Sequence, residues 1–509
     1  MVPLSILMGT WVTFKLLTVL YNLSSLHPLS HIPGPRLARA TYLPEIYYDC
    51  IKYGRYTKQI QQMHNEYGPI VRISPGEVHC NDINFVDEIY TAGNRKRNKP
   101  QHFINGSASG ESGFATMDHD IHRLRRGPVA RFFTRSMITR LESDIHHLAQ
   151  ALCDKLLSSA YEPVDIHMAY SCFASDAISS YCFGESFGFL DQKSWFPNFH
   201  APGISILKPI HAFRAFPILK PIARYGEYFI NYLPEDIALH IRTLRVDIPN
   251  QIEKTKTEIQ SKVVRDRPTI FGSLLQLGPK QNKLVNLADE AAALLNAGTE
   301  TTAWALAVIT FHLLSKPEIL EKLIEELDQA VEDPRHLPTL NSLESLPYLQ
   351  GVIQEGLRLS YGVSARSSRV ATEEDLVYRG EWKKNSIEYV IPRGYAIGMS
   401  AVLMHHDESV FTDSHLFVPE RWLDTQQRKI LDRGMLPFSK GTRACLSMNL
   451  AICELNVALA ALTLRVFPHM HLFDTTEEDV LYDHDMLVPM TRPSSKGVRV
   501  TVTPFEPTS

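Results

Sequence analysis

The segment that most constrains this chain is an eight-residue loop that leads into an apolar helical run near the carboxyl end: Phe438-Ser439-Lys440-Gly441-Thr442-Arg443-Ala444-Cys445. A cysteine directly before a helix lies beside free backbone N–H groups, and these stabilise a thiolate. Gly441 lets the backbone approach a flat ligand, and Arg443 supplies charge for an acidic group. The loop's four fixed positions together have a chance expectation of roughly 0.003 in such a chain, at about 5% usage per residue. The spacing therefore predicts a thiolate site.

The rest of the composition is that of an ordinary globular protein. The seven cysteines are odd in number and include no CxxC pair, which argues against a disulfide framework or a zinc site. Hydrophobic residues make up 44% of the 509 residues, charged residues 21%, and the formal net charge is −4. These values exclude a disordered or coiled-coil chain and argue against nucleic-acid binding. Length alone suggests about three domains.

The amino-terminal segment is apolar over about the length that crosses a bilayer, roughly 20 residues, with Lys15 as its one charge. We expect a transmembrane anchor over residues 1–23, then a proline-rich hinge over 24–36 that stands apart from the core. Arg36 and Arg39 follow the segment and no basic residue precedes it, so the positive-inside bias places the body on the cytosolic side. A buried amino-terminal helix is the alternative.

Long helical patterns and few short β-like stretches predict a mainly α protein with small β-sheets. The helical patterns cover residues 115–191, 228–264, 284–314 and 343–359, and the β-like stretches cover 70–73, 377–378 and 498–502. The third helix is apolar enough to lie buried through the centre of a large domain. The proline-broken stretch Ala201–Ile222, with Lys208, Arg214 and Lys220 at its rim, fits a membrane-dipping segment or a lid over a pocket.

The cysteine loop resembles that of the cytochrome P-450 superfamily of haem-thiolate monooxygenases, and the resemblance extends from Pro33 to Val502. It implies a cytochrome P-450 fold with a long central helix over haem b, the haem loop from Phe438, and Cys445 as the axial thiolate. One departure is Ser447, where the family usually has glycine. Since the matched residues must converge on one haem, we expect a single catalytic domain, 37–509, and a monomer.

Three further stretches match the family in the required order. The first is Ala297-Gly298-Thr299-Glu300-Thr301-Thr302, in which the family's small pair, Ala297 and Gly298, opens a notch for dioxygen. The resemblance makes Glu300 and Thr301 the relay that carries protons into the oxygen pocket. The alternative is a helical threonine that bonds back to a carbonyl of its own helix.

The other two stretches, Glu355-Gly356-Leu357-Arg358 and Phe417-Val418-Pro419-Glu420-Arg421-Trp422, resemble the family's structural triad of Glu355, Arg358 and Arg421. Residues three apart on a helix face each other, so Glu355 and Arg358 can form a buried ion pair. The pattern is weak by itself, because Glu332-Asp333-Pro334-Arg335 also fits it. Position relative to Cys445 decides between them.

Haem propionates need cations or hydrogen-bond donors. The resemblance assigns this role to Arg443, to His122 and Arg126 of the segment His122-Arg123-Leu124-Arg125-Arg126, and to Arg369, with Arg366 as a rival. The basic residues Arg123, Arg125, Arg131 and Arg135 are candidates for docking an acidic reductase surface, against the alternative of a solvated face or further propionate contacts.

The implied activity is insertion of one oxygen atom from O2 into a lipophilic substrate, such as a terpenoid or polyketide intermediate. The resemblance is to fungal members of secondary metabolism, including trichodiene-oxygenase-like enzymes. No flavin or nicotinamide fingerprint is present, so an NADPH-dependent cytochrome reductase in the endoplasmic reticulum membrane is the expected electron donor. A haem-thiolate isomerase or dehydratase, a non-catalytic haem sensor and an anchored helical scaffold remain alternatives. We expect an apolar pocket lined by residues 103–114, 201–222, 294–301, 363–365 and 486–488.

Overall fold

The apolar patterns fold into helices of very different length. The computed structural model describes residues 4–107, 110–159, 161–223, 225, 228, 231–262, 267–277 and 285–503. Within that part the first sixteen α-helices are α1 (Leu4–Leu23), α2 (Arg36–Ala40), α3 (Leu43–Glu45), α4 (Tyr56–Tyr67), α5 (Val86–Ile89), α6 (Gln101–Gly106), α7 (His119–Ala130), α8 (Arg135–Thr139), α9 (Glu142–Ser158), α10 (Ile166–Phe183), α11 (His200–Leu207), α12 (Ile210–Ala215), α13 (Leu219–Ala223), α14 (Glu235–Arg242), α15 (Ile248–Gln260) and α16 (Ile270–Leu275).

The remaining α-helices include the two that carry most of the predicted site. They are α17 (Leu287–Ser315), α18 (Pro317–Ala330), α19 (Leu340–Glu344), α20 (Pro347–Ser360), α21 (Ala401–Met404), α22 (Arg428–Gly434) and α23 (Met448–Arg465). Short π- and 3-10 turns extend or join them, and the 3-10 turn Gly441–Arg443 lies inside the cysteine loop.

Twelve short strands in the described part form four small sheets. The strands are β1 (Ile70–Ser74), β2 (Glu77–Cys80), β3 (Arg97–Asn98), β4 (Val164–Asp165), β5 (Arg369–Ala371), β6 (Leu376–Trp382), β7 (Asn385–Ile391), β8 (Ala396–Gly398), β9 (Met470–Leu472), β10 (His484–Met486), β11 (Val488–Met490) and β12 (Arg499–Val502). The largest sheet has the order β1-β2-β8-β5-β3 and is antiparallel except between β2 and β8. The predicted fold class, mainly α with small sheets, is confirmed.

The helical core is built around α17, which crosses α10. Gly298 faces α10 at this crossing, since a Cβ there would lie 3.1 Å from Cγ1 of Ile178. Helices α9, α20 and α23 supply many of the other buried side chains of this core. A second core packs under the largest sheet. Helix α17 thus runs buried through the centre, as its apolar pattern predicts.

Two predicted helical patterns are divided in the structure. The pattern over 115–191 contains four helices, α7 to α10, because the chain is extended at Thr134, turns at residues 140–141 and is extended again at Val164–Asp165, where β4 pairs with β12. The pattern over 228–264 contains α14 and α15, joined by a π-helical turn at Thr243–Asp247; its positions 229, 230, 263 and 264 lie outside the described residues.

Helix α1 is exposed, and its segment Ser5–Leu23 is long and apolar enough to cross a membrane, with a mean hydropathy of 1.4. Two other described regions meet that length and composition: α23, which is mostly buried, and the bent pair α17 and α18. The predicted hinge is corrected. Leu29 and Ile32 are completely buried in the second core, and His27 lies against Arg72, so residues 24–36 pack onto the body rather than standing apart from it.

Candidate functional site

The cysteine loop folds back on itself and presents one thiol. The N–H of Cys445 donates to the carbonyl of Phe438 over 2.8 Å, which closes the loop ahead of α23. Cys445 is exposed, whereas Cys50 is half-buried and the other five cysteines are buried. The protein packed around the Cys445 thiol disfavours its charged form and so raises its pKa. Hydrogen bonds from Ser447 and the positive charge of Arg126 oppose this. The loop therefore offers a sulfur ligand with partial support for the thiolate.

Two features of the loop differ from the sequence argument. Gly441 has φ +70°, and a Cβ there would fall on the carbonyl oxygens of Tyr90 and Thr91, so the glycine is required by the protein's own backbone. Ser447, which replaces the usual glycine, places its hydroxyl 3.6 Å from the sulfur of Cys445. Such a hydroxyl stabilises a thiolate by donating to it.

Basic side chains converge beside this loop. Arg443 is buried and donates to the carbonyls of Thr116 and Met117 over 2.6 and 2.8 Å. Burial, with repulsion from Arg369 and Arg126, lowers its pKa to about 9. None of these three arginines forms an ion pair with a carboxylate of the described residues. Buried cations that only neutral oxygens satisfy favour an added anion.

Lys99 belongs to the same cluster and was missed by the sequence argument. Its ammonium donates to the carbonyl of Phe114 over 2.7 Å and lies 3.6 Å from the centre of that ring. Burial lowers its pKa well below the ordinary value, and Arg369, Arg443 and Arg126 lower it further. No local motif marks this lysine, because it follows strand β3, far from the cysteine loop in sequence.

Histidine 122 is buried at the edge of this basic cluster. Burial, together with Arg443, Arg126 and Lys99, lowers the pKa of His122 to about 2, so the ring is neutral at physiological pH. A neutral imidazole retains one N–H donor, which suits a carboxylate without adding charge. Arg126 also donates to the carbonyl of Cys445 over 3.5 Å, which links the cluster to the thiol loop.

Arg369 and Arg366 have different surroundings. Arg369 donates to the hydroxyl of Ser439 over 3.3 Å, so it lies against the cysteine loop. Arg366 instead donates to the carboxylate of Glu45 over 2.7 Å and lies 3.7 Å from Asp49. The structure therefore brings Arg369 to the cluster and leaves Arg366 in a separate buried ion pair.

Glu355, Arg358 and Arg421 form one group of ion pairs. Glu355 accepts from Arg358 over 2.7 and 2.9 Å, from Arg421 over 3.0 Å and from the indole of Trp422 over 2.9 Å. The side chains of Glu355 and Arg358 are completely buried. The similar pattern at Glu332 lies outside any helix and is exposed.

The residues Ala297 to Thr301 lie on α17, but the acid and the alcohol are not joined to each other. The hydroxyl of Thr301 donates to the carbonyl of Ala297 over 2.7 Å, which is the alternative geometry that the sequence left open. Glu300 is buried and accepts from His200 of α11 over 2.8 Å. A Cβ on Gly298 would face Ile178 of α10, and the notch for dioxygen at Ala297 and Gly298 stays a prediction.

A cavity of about 340 Å³ lies beside Glu300 and Thr301. Both Glu300 and Thr301 line it, together with residues of β4, α10, α11 and the segments 488–491 and 495–498. Of the predicted lining, Ile204, Glu300, Thr301 and Val488 reach the cavity. Phe103 and Phe114 do not; their rings cover Lys99, and positions 108 and 109 of that predicted range lie outside the described residues. The expected apolar lining is corrected, because Asp165, His167 and His200 make one wall polar.

The predicted lid, residues 201–222, differs from expectation at Arg214. Residues 201–222 form the short helices α11 to α13, and Ile218 is 75% exposed. Arg214, expected at a membrane-facing rim, is buried 3.7 Å from Glu45 and 3.8 Å from Asp49. Ion pairs therefore hold α12 to the body.

The donor set fits a haem: one exposed sulfur for the iron, and a cluster of buried cations for two carboxylates in the adjoining loop. Together with a mainly α fold around one buried central helix, these features define a haem-thiolate protein.

Comparison with known proteins supports the same class of protein. The cytochrome P450 family matches residues 44–494. Cytochrome P450 monooxygenase ppzE of Metarhizium majus is 40% identical, covering 86% of this chain and 94% of its own. Cytochrome P450 monooxygenase MO6277 of Ascocoryne sarcoides is 37% identical, covering 98% of both chains. N-acetyltryptophan 6-hydroxylase ivoC of Emericella nidulans is 35% identical, covering 96% of this chain and 95% of its own. This chain belongs to the cytochrome P450 family, and it is a haem-thiolate monooxygenase.

Proposed function

We propose that this enzyme oxidises a lipophilic intermediate of moderate size, of terpenoid or polyketide type, in fungal secondary metabolism, with haem b held by Cys445. The observation that carries the haem assignment is the exposed thiol of Cys445 beside a cluster of buried, unpaired cations among the described residues. Haem supplies the one-electron and dioxygen chemistry that amino-acid side chains lack.

The protein's own residues have three tasks in this proposal. Cys445 binds the iron, and Arg443, Arg126 and Arg369, with Lys99 and His122, hold the propionates. The triad around Glu355 keeps the cysteine loop in place from behind. Thr301 and Glu300 manage protons on the wall of the cavity: the O–H of Thr301 donates to the carbonyl of Ala297, its oxygen can accept a hydrogen bond, and Glu300 supplies the proton.

Substrate class is tested with purified enzyme and a panel of terpene and polyketide intermediates, plus N-acetyltryptophan because one relative is named for that substrate. We expect terpene or polyketide members to shift the haem absorption band and to yield a product one oxygen atom heavier, dependent on NADPH and O2. Product that forms without either would favour the isomerase or dehydratase alternative. Conversion of N-acetyltryptophan alone would overturn the proposed substrate class.

The proposed electron donor is an NADPH-dependent cytochrome reductase that docks on exposed arginines of α7 and the following turn. Arg123 and Arg131 are exposed, whereas Arg135 is bound to Glu344 and is therefore a poorer contact than the sequence suggested. Reversing Arg123 and Arg131 to glutamate should slow the first electron transfer and flatten its salt dependence. Arg379→Glu, on the exposed β6–β7 hairpin, is the matched control. Unchanged rate and salt dependence in the double variant would exclude this docking surface.

We further propose that α1 anchors the enzyme in the endoplasmic reticulum membrane with the catalytic domain in the cytosol, because basic residues follow the helix and none precedes it. A chain lacking residues 1–20 should leave the carbonate-washed microsomal pellet, while the full chain stays. In intact microsomes, added protease should degrade the full chain's catalytic domain. Protection of that domain would contradict the orientation.

A further inference from the structure

One histidine binds the acid that the proposed function uses as a proton relay, and a second histidine lies beside it. Nδ1 of His200 donates to Oε2 of Glu300 over 2.8 Å, and Nε2 of His167 lies 3.5 Å from the same oxygen. The two imidazole rings meet edge to face with their centres 4.3 Å apart. His200 begins α11, His167 lies on α10 and Glu300 lies on α17, so three elements of the fold supply this cluster.

The cluster is arranged for proton exchange rather than for holding a cation. A separation of 2.8 Å between His200 and Glu300 is a hydrogen bond, whereas two ligands of one zinc ion, each about 2.0–2.2 Å from it, lie farther apart. Oε1 of Glu300 and Nε2 of His167 are buried and have no hydrogen-bond partner among the described residues. Glu300 and Thr301 line the same cavity, which also reaches Asp165 of β4.

The titration order of these groups suits a relay. Burial disfavours charge on His200, but attraction and hydrogen bonding to Glu300, with attraction to Asp165, outweigh it and raise the pKa of His200. Burial and the neighbouring His200 lower the pKa of His167 well below its ordinary value. Burial raises the pKa of Asp165 to about 6, although His200 and Arg499 of β12 oppose this. Contact with Glu300 therefore favours a proton on His200, whereas burial disfavours one on His167.

We propose that His200 is a positioning residue that reprotonates Glu300 during turnover, so that the start of α11 is the entry of the proton path to Thr301. In this step the Nδ1–H bond of His200 breaks and an O–H bond forms at Oε2 of Glu300. Glu300 releases a proton toward the Thr301 side of the cavity, and His200 recovers one from solvent near Asp165. The inference rests on the relay role proposed for Glu300 and Thr301.

The first test measures protonation without turnover. Diethyl pyrocarbonate modifies neutral imidazole, so the pH dependence of His200 modification in the holoenzyme, read by peptide mass spectrometry, gives its midpoint. We expect Glu300→Gln to lower that midpoint by a unit or more, which makes His200 react about tenfold faster below both midpoints. His336, which pairs with Asp333 at the surface, is the control and should not change. An unchanged His200 midpoint would overturn the proposal.

The second test uses reductase-supported NADPH oxidation with 7-ethoxycoumarin as the lipophilic probe. His200→Gln keeps an amide donor for Glu300 but cannot titrate. We expect its rate to fall about tenfold, less than the ~10²–10⁴ typical of a direct proton donor, with a changed pH profile and a larger solvent isotope effect. His336→Gln should match the wild type. A wild-type rate, pH profile and isotope effect in His200→Gln would overturn the inference.

Two further measurements distinguish failure of the inference about His200 from failure of the proposed relay. Carbon monoxide trapping of the first reduction should proceed at the wild-type rate in His200→Gln, since neither the fold nor reductase docking depends on this proton. If Glu300→Gln and Thr301→Ala also retain the wild-type rate, the proposed relay itself fails. If those two variants are slow and His200→Gln is not, only the inference about His200 fails.

Discussion

Glu355 is a completely buried carboxylate whose charge is balanced by two arginines. It accepts from Arg358 and Arg421, and Arg358 uses its other N–H groups on backbone carbonyls such as that of His405. Removing one member of such a group leaves a buried charge without its partner. The ion pairs of Glu355 are therefore costly to break one partner at a time.

Glu355→Ala should abolish stable haem binding, because Arg358 would stay buried and uncompensated at a cost of about 3–5 kcal/mol. The measurement is haem content together with the free energy of unfolding. Glu332→Ala is the matched control, since Glu332 belongs to the same sequence pattern but is exposed. A normal haem spectrum in Glu355→Ala would refute the triad.

Replacing Arg369 and replacing Arg366 should have different effects. Arg369→Gln should release haem faster to a scavenging apoprotein, with little change in the thermal midpoint, because it removes a cation from the cluster beside Ser439. Arg366→Gln should lower the thermal midpoint instead, because it leaves Glu45 buried without its closest partner. If Arg366→Gln released haem faster and Arg369→Gln lowered the thermal midpoint, Arg366 would be the residue that binds the propionate.

The cysteine loop depends, as an element, on one backbone conformation. Gly441→Ala places a Cβ against two backbone carbonyls at φ +70°, where neither partner can move cheaply. We expect it to lose haem and at least about 1–3 kcal/mol of stability. Gly127→Ala in α7, where the added Cβ meets no atom within 4 Å, should be neutral or slightly stabilising. Full haem occupancy in Gly441→Ala would contradict this role.

Two of the long periodic patterns predicted one helix each, and the three predicted β-like stretches fall on β1, β6 and β12, but the other short strands were not predicted. The patterns over 284–314 and 343–359 correspond to α17 and α20 within a few residues, because each carries a continuous apolar repeat. The largest sheet could not be predicted: its strands hold two to five residues and join the segment 70–98 to the segment 369–398. Pairing over such a separation leaves no local signal.

The same distinction holds for the site. Cys445 and the Glu355 pair lie in local motifs, so the sequence alone was enough to select them. Lys99 and His200 reach the site only through the tertiary fold, His200 being 100 residues from Glu300. Residue type alone did not show whether the Thr301 hydroxyl bonds back to a carbonyl of its own helix. Its hydrogen bond to the carbonyl of Ala297 shows that it does.

The whole molecule should lose stability in mild acid. Burial lowers the pKa of His64 to about 4 and those of His312, His405 and His406 to about 3. Because these values lie below the ordinary 6.5, the unfolded chain binds more protons between about pH 4 and 6.5. This stabilisation is complete above pH 6.5 and is lost as the pH falls. Burial raises the pKa values of several carboxyl groups, such as Glu454 to about 8 and Asp165 to about 6, and these groups act in the opposite direction and offset part of the loss.

Thermal unfolding at pH 7.5, 6.5 and 5.5 tests this expectation. The midpoint should fall progressively below pH 6.5, and replacing the exposed His336 with glutamine should not alter the trend. A midpoint that stays constant down to pH 5 would mean that the buried histidines do not stay neutral in the folded state.

The proposed activity of this protein depends on Cys445 as the ligand of a haem iron. The difference spectrum of the reduced protein with carbon monoxide measures this directly, since a band near ~450 nm reports a cysteine thiolate on the iron. We predict that band for the full chain and for Cys50→Ala, whose cysteine is half-buried, and its loss in Cys445→Ala. Absence of the band in the wild type, or its persistence in Cys445→Ala, would contradict the assignment.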